Sequence, residues 1–272
     1  MKKQIGCIGC GNMGGAIMAG LARQKALWEG WGLAACSRTA ARLAPLEKLG
    51  VVSCSSSAEL AARSRYIVVA VKPYQMDAVL RELAPHVCAD HVVISVAAGI
   101  SMAALRESLG QSCAVVRCMP NTPARVGRGV FGLCFDDPAL TPEARNDIHA
   151  LFAALGVCVE LPEARFTAFS ALIGAGPAYV FAMMQGLVQA GATLGFTWAQ
   201  SREMVAALFE GSARMAAQET APLMQLRDDV CSPGGLTIAG VNALDRAGIS
   251  GLLVDAVLAA DTRGREMEKA LD

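Results

Sequence analysis

Two short stretches of this chain combine bare backbone with side chains that could do chemistry. Near the start stands Gly9-Cys10-Gly11-Asn12-Met13-Gly14, spaced as G-x-G-x-x-G, and near the end stands Ser232-Pro233-Gly234-Gly235-Leu236-Thr237. Glycine suits places where backbone turns tightly or touches a ligand, and consecutive N–H groups can form a nest for an anion. In the first stretch the expected anion is a pyrophosphate, because the motif follows a strand-like run (4–8) and opens a helix-like one (13–23). A helix N-terminus at that point offers unpaired N–H groups to the phosphates. Gly9, Cys10, Gly11, Asn12 and Met13 are therefore candidate dinucleotide-binding residues. For the second stretch two readings stand. Its hydroxyls and glycines hold a ligand, or Ser-Pro-Gly-Gly joins two helices and Ser232 or Thr237 caps the second.

The second strand bears on which dinucleotide is bound. An NAD site places Asp or Glu about 20 residues after the glycines, to bond the ribose 2′-OH. This chain has Ala35-Cys36-Ser37-Arg38-Thr39 there, with no carboxylate. Ser37, Arg38 and Thr39 can hold a 2′-phosphate, with Arg38 as the charged clamp; the alternative is an exposed loop arginine. NADPH is the expected cofactor, with NADH possible. Cys7 and Cys10 form a C-x-x-C, but no second pair stands at zinc-finger spacing, so buried thiols are expected and no metal. The 3 histidines, His86, His91 and His149, lie away from both glycine-rich stretches and read as surface or boundary residues.

The elements that must position these residues fall into two textures. Strand-like runs at 4–8, 32–36, 51–54, 66–71, 91–96, 113–118, 129–134 and 157–160 alternate with helical patterns at 13–23, 40–49, 58–62, 75–83 and 101–109. Thr141-Pro142 opens a further helix, with Thr as N-cap. The alternation predicts an α/β, Rossmann-like doubly wound, mainly parallel sheet over residues 1–161. From 162 to 272 strand signals vanish, which predicts an all-α domain. There Ala182, Gly186 and Ala190 make a small-residue ridge, suited either to core packing or to a subunit interface. The chain has 272 residues, 24 basic and 24 acidic, with 54% hydrophobic and only 18% charged. The balanced charge gives no bulk field for nucleic acid or acidic membranes, and the apolar excess suggests surface buried in an oligomer. No charged residue falls between Arg165 and Arg202. A membrane span is not expected, because Gly174-Ala175-Gly176-Pro177 breaks the run; a helix buried among protein neighbours is. Ten cysteines, with no signal core after Met1-Lys2-Lys3, point to reduced thiols and a cytoplasmic location.

On these residues the chain resembles the pyrroline-5-carboxylate reductases. The likeness rests on Ile8–Met13, Ala70-Val71-Lys72-Pro73, Ala97-Ala98-Gly99-Ile100, Met119-Pro120-Asn121-Thr122-Pro123, Gly176-Pro177-Ala178-Tyr179 and the Ser232–Thr237 stretch, in family order over nearly the whole chain. The resemblance implies a Rossmann domain followed by a helical dimerisation domain that interlocks with a partner subunit, as an intertwined homodimer that can be built up into a larger ring. It also implies that Ala70, Val71, Lys72, Pro73, Ala97 and Asn121 line the cofactor, and that Ser232, Gly234, Gly235 and Thr237 hold 1-pyrroline-5-carboxylate. Three positions depart from the family pattern. Ser57 stands where relatives place Asn on the adenosine ribose, Arg65 replaces a common Asp, and Ile173-Gly174-Ala175 replaces Ser-Gly-Ser.

The chemistry agrees with the residues. Hydride transfer to a ketone wants a general acid for the developing alkoxide. A protonated cyclic imine already carries the positive charge that hydride cancels, so the protein has mainly to orient the ring and exclude water. Thr237 would bond the ring nitrogen, as the catalytic residue, while Ser232 and the glycine amides hold the carboxylate. Two rivals are a β-hydroxyacid dehydrogenase, which needs a lysine where the second domain offers only Lys269, and a non-enzymatic NADP-sensing module. Tyr179, Met183 and Met184 are expected to be core.

Overall fold

A computed structural model describes residues 4–24 and 30–269. The N-terminal Met1–Lys3 lies outside the described residues. The chain separates into two compact units, residues 1–175 with 260–272, and residues 176–259.

The first unit is built on eight strands: β1 Gln4–Ile8, β2 Gly32–Cys36, β3 Val52–Cys54, β4 Tyr66–Val69, β5 Val92–Ser95, β6 Ala114–Met119, β7 Gly129–Cys134 and β8 Gly156–Glu160. They lie in the order β3-β2-β1-β4-β5-β6-β7-β8. The β6–β7 pair is antiparallel and every other pair is parallel. All residues of β4, β5 and β6 are buried, as expected of apolar runs covered on both faces. One face packs Ile17, Leu21, Ile148 and Phe152; the other packs Leu60, Met76, Leu80 and Leu105.

The helices of this unit are α1 Asn12–Arg23, α2 Ala44–Glu47, α3 Ser57–Arg63, α4 Pro73–Leu83, α5 Met102–Ser108, α6 Pro142–Ala153 and α7 Phe166–Phe169. Thr141 caps α6 as expected, its hydroxyl accepting from Ala144 N–H at 3.2 Å. The helix expected over 40–49 is instead a 3₁₀ turn, Ala40–Arg42, followed by the single turn of α2. Pro45 at the start of α2 accounts for the break, since it has no N–H to continue a helix from the preceding turn. Among the departures from the family pattern, Arg65 forms an ion pair with Glu143 at 3.4 Å and lies over the Tyr66 ring.

The second unit holds α8 Gly176–Thr193, α9 Trp198–Gln218, α10 Leu223–Asp229, α11 Leu236–Arg246 and the start of α12 Ile249–Lys269. Thr197 and Gln200 form a capping box at α9. Gly191 allows α8 and α9 to approach, because a Cβ there would stand 2.5 Å from Ser201 Oγ. The Gly-Ala-Gly-Pro stretch does not open a loop. Ser170–Gly174 forms a π-helical turn, closed by Ala175 N–H donating to the Ser170 carbonyl at 2.9 Å. One helical run, 163–193, is consequently long and apolar enough to cross a membrane by length and composition, with only 11% of its most apolar window buried. Within the single chain the expected burial of this segment is not met: Val188 is the one buried residue of α8. Ala182, Gly186 and Ala190 are exposed, and Tyr179, Met183 and Met184 are half-buried rather than core.

Candidate active site

The sheet order reverses at β1, which pairs with both β2 and β4. Dinucleotides bind at such a switch point, beyond the carboxyl ends of the strands. Gly9 leaves β1 there with φ +90°, and its N–H donates to the Cys36 carbonyl at 2.9 Å. A Cβ on Gly9 would come within 2.9 Å of the Ala70 carbonyl oxygen, and one on Gly14 would overlap the Gly9 carbonyl. The motif is thus a packed corner that only glycine can make. Gly11 is the N-cap of α1 and supplies no side-chain cap, so the first N–H groups of that helix are left for a ligand. The open backbone cradle and uncapped helix end fit a pyrophosphate.

The other cofactor candidates in the first unit lie along the same strand ends. Ser37 follows β2 and its hydroxyl accepts from Thr39 N–H at 3.4 Å, while Arg38 and Thr39 are exposed. Ala70, Val71, Lys72 and Pro73 follow β4. Lys72 is the N-cap of α4 and Pro73 its first residue, the helical position that tolerates a missing N–H. Ala97 follows β5 and is buried.

Three candidates prove more internal than expected. Asn121 spends its side chain on the fold: Oδ1 accepts from Val130 N–H at 2.9 Å and Nδ2 donates to the Ile173 carbonyl at 3.3 Å. Ser57 is buried at the start of α3, where Ser56 is the capping residue. Cys10 turns its thiol inward, 3.9 Å from the Cys36 carbonyl. A hydrogen bond from Cys7 and the charge of Arg42 lower its pKa against the effect of burial, while Cys7 is pushed well up by that same bond and by burial. All ten cysteines are free thiols.

His91 is not a surface residue. It is buried, with Nδ1 accepting from Cys88 N–H at 3.0 Å and Nε2 standing 3.1 Å from the Ala61 carbonyl. The first bond places the proton on Nε2, so this ring ties the start of β5 to α3.

In the second unit, the Ser232–Thr237 stretch is a tight turn between α10 and α11. Gly235 N–H donates to the Ser232 carbonyl at 3.0 Å, and Gly234 takes φ +67°. Proline followed by a left-handed glycine is the signature of a type II turn. Gly235 is the N-cap of α11, and no side chain caps that helix. Capping by Ser232 or Thr237, one of the two readings above, is therefore not what the turn does. A Cβ on Gly235 would stand 2.5 Å from Ser232 Oγ, so the glycine makes room for that hydroxyl. Both Ser232 and Thr237 are exposed. The turn joins free N–H groups at a helix start to two available hydroxyls, which suits an anion beside a hydrogen-bond acceptor or donor.

Fold and site define a Rossmann-type dinucleotide oxidoreductase with a helical second domain. Two family profiles match: "NADP oxidoreductase coenzyme F420-dependent" over residues 4–99 and "Pyrroline-5-carboxylate reductase dimerisation" over residues 163–267. A pyrroline-5-carboxylate reductase of Pisum sativum is 35% identical over 97% of this chain and 95% of its own length. Among solved structures, a pyrroline-5-carboxylate reductase from Coxiella burnetii is 30% identical, with TM-score 0.89 over 98% of this chain and 99% of that one. The Plasmodium falciparum pyrroline carboxylate reductase, with NADP bound, is 28% identical, with TM-score 0.85 over the same shares, 98% and 99%. The chain belongs to the pyrroline-5-carboxylate reductase family.

Sequence reasoning did not single out Arg42, which the structure sets against the glycine corner. The available signal was its place four residues after Arg38, at the end of the short turn that follows.

Proposed function

We propose that this protein is an NADPH-dependent reductase that converts 1-pyrroline-5-carboxylate to proline, the last step of proline synthesis, with NADH as a possible substitute. The observation that carries this is the Ser232–Thr237 turn, which leaves amides and hydroxyls free at a helix start inside a chain of this family. Bound NADPH supplies the hydride that reaches C5 of the ring. Gly9 to Met13 take its pyrophosphate and Ser37, Arg38 and Thr39 its 2′-phosphate; Ser57, buried at the start of α3, meets its adenosine ribose only where that side chain turns outward. Ala70 to Pro73, Ala97 and Asn121 shape the nicotinamide end, with Asn121 acting through the backbone corner that its amide fixes.

The substrate's carboxylate is held by Ser232 and the amide of Gly234, with Gly235, whose N–H closes the turn onto the Ser232 carbonyl, lining the same site by its bare backbone. Thr237 hydroxyl bonds the ring nitrogen and keeps the protonated imine in place. The proton on that nitrogen comes from solvent before or during binding. Because charge disappears as hydride arrives, no residue has to stabilise an alkoxide. This agrees with a second domain whose only lysine, Lys269, is exposed at the end of α12.

Residues 1–161 form the cofactor domain and 162–272 the substrate and dimerisation domain in this reading, a division supported by the dimerisation match beginning at residue 163. The exposed Ala182-Gly186-Ala190 ridge and the apolar α8 favour a partner subunit, not a bilayer, as what covers them. An intertwined homodimer is the basic assembly, with larger rings built from it, and the ten free thiols suit a reducing cytoplasm. Purified protein with NADPH and pyrroline-5-carboxylate is expected to yield NADP⁺ and proline. Oxidation of a 3-hydroxyacid, or cofactor binding with no turnover, would replace this reading with one of its rivals.

A further inference from the structure

Beside the first turn of α1 lies a cleft of about 510 Å³ walled by α1, the Ala40–Arg42 turn, α2 and Arg125. Its lining includes Arg23, Arg42 and Arg125 and no carboxylate. None of the three pairs with a carboxylate among the described residues. Three exposed like charges around one open cleft repel modestly through solvent, and an anion between them relieves that repulsion.

Arg42 is the best placed of the three. Its guanidinium Nη1 stands 3.0 Å from where a Cβ on Gly11 would lie, so the side chain crosses the open face of the glycine that caps α1. The backbone beneath it is fixed: Arg42 N–H donates to the Thr39 carbonyl at 3.0 Å, and the adjacent Leu43 and nearby Leu46 are buried in the core.

We infer that Arg42 is a cofactor-positioning cation that closes over the pyrophosphate, dividing the work with Arg38, which reads the 2′-phosphate. This rests on the cofactor reading above and adds a residue to it. A guanidinium can give two parallel hydrogen bonds to a phosphate, which an ammonium cannot. The division makes the two arginines separable. A pyrophosphate contact serves NADPH and NADH alike, whereas a 2′-phosphate contact serves NADPH alone.

The test measures dissociation constants for NADPH and NADH by nucleotide fluorescence in the wild type, Arg42→Ala, Arg42→Lys and Arg38→Ala. Arg42→Ala is expected to weaken both nucleotides by roughly ten- to a hundredfold, with Arg42→Lys between it and the wild type. Arg38→Ala is expected to weaken NADPH selectively. Since Arg42 is exposed, circular dichroism and melting should stay at wild-type values. An Arg42→Ala protein that binds both nucleotides as the wild type does, or one that loses NADPH alone, overturns the inference and leaves the cofactor reading intact. Wild-type protein that binds neither nucleotide sinks both.

Discussion

At the scale of single residues, glycines and buried thiols carry most of the constraint. Gly9, Gly14 and Gly235 are each required by a neighbour that a Cβ would strike. The thiols make a pH prediction. Burial raises Cys113 to about 12 and Cys134 and Cys158 to about 11, and pushes Cys118 well above its ordinary value. Each stays protonated in the fold while an unfolded chain ionises near 9.0. Their contribution to stability is then complete below pH 9 and is lost as pH rises from there toward 11–12. Urea midpoints at about pH 8 and about pH 10 should show the drop, and no fall would contradict the burial. The reactive residues were legible because glycine, serine and threonine stand out against a helix-forming background. Orientation was not legible. Nothing in the local sequence told that Cys10 and Ser57 face inward, that Asn121 is spent on Val130 and Ile173, or that His91 is buried, since each depends on a partner distant in the chain.

At the scale of elements, apolar runs and turn residues placed all eight strands, and the first, second and seventh had the bounds observed. Misjudged elements shared one cause, competition within a helical pattern. Pro45 splits the segment after β2, and the Gly174 region is accommodated as a wide π-turn instead of a break. The glycine corner is the element whose failure is easiest to provoke. A Cβ added at Gly14 would overlap the Gly9 carbonyl and stand 2.8 Å from Ala70 Cβ and 3.0 Å from Cys7 Sγ. Backbone cannot yield as a flexible side chain would, so Gly14→Ala should cost about 1–3 kcal/mol of stability. It should also weaken NADPH binding, because α1 must shift away from β1. Thermal melting and nucleotide titration check both, and wild-type values in either would show the corner to be less rigid than described.

At the scale of the whole molecule, the apolar composition finds its explanation outside the single chain. Large hydrophobic side chains such as Phe181, Leu187, Leu208, Leu252 and Leu258 are exposed in the helical region, and surfaces of that kind mark association sites. Composition announced the surplus, but only the structure shows that the small-residue ridge of α8 stays exposed among the described residues. Among the described residues, no atom beyond its chain neighbours and its own helix backbone lies within 4 Å of a Cβ built on Gly186, so Gly186→Arg should leave the fold intact by circular dichroism. It should convert dimer to monomer in sedimentation and reduce turnover with it; a dimeric, active variant would place the interface elsewhere. The central claim, that an electron-poor ring is held by the Ser232–Thr237 turn for hydride delivery, is tested most directly on Thr237→Ala. Steady-state reduction of pyrroline-5-carboxylate should fall by about a hundredfold or more in that variant, with its NADPH dissociation constant unchanged. Wild-type turnover by Thr237→Ala, or a rate lost only in step with NADPH affinity, would contradict it.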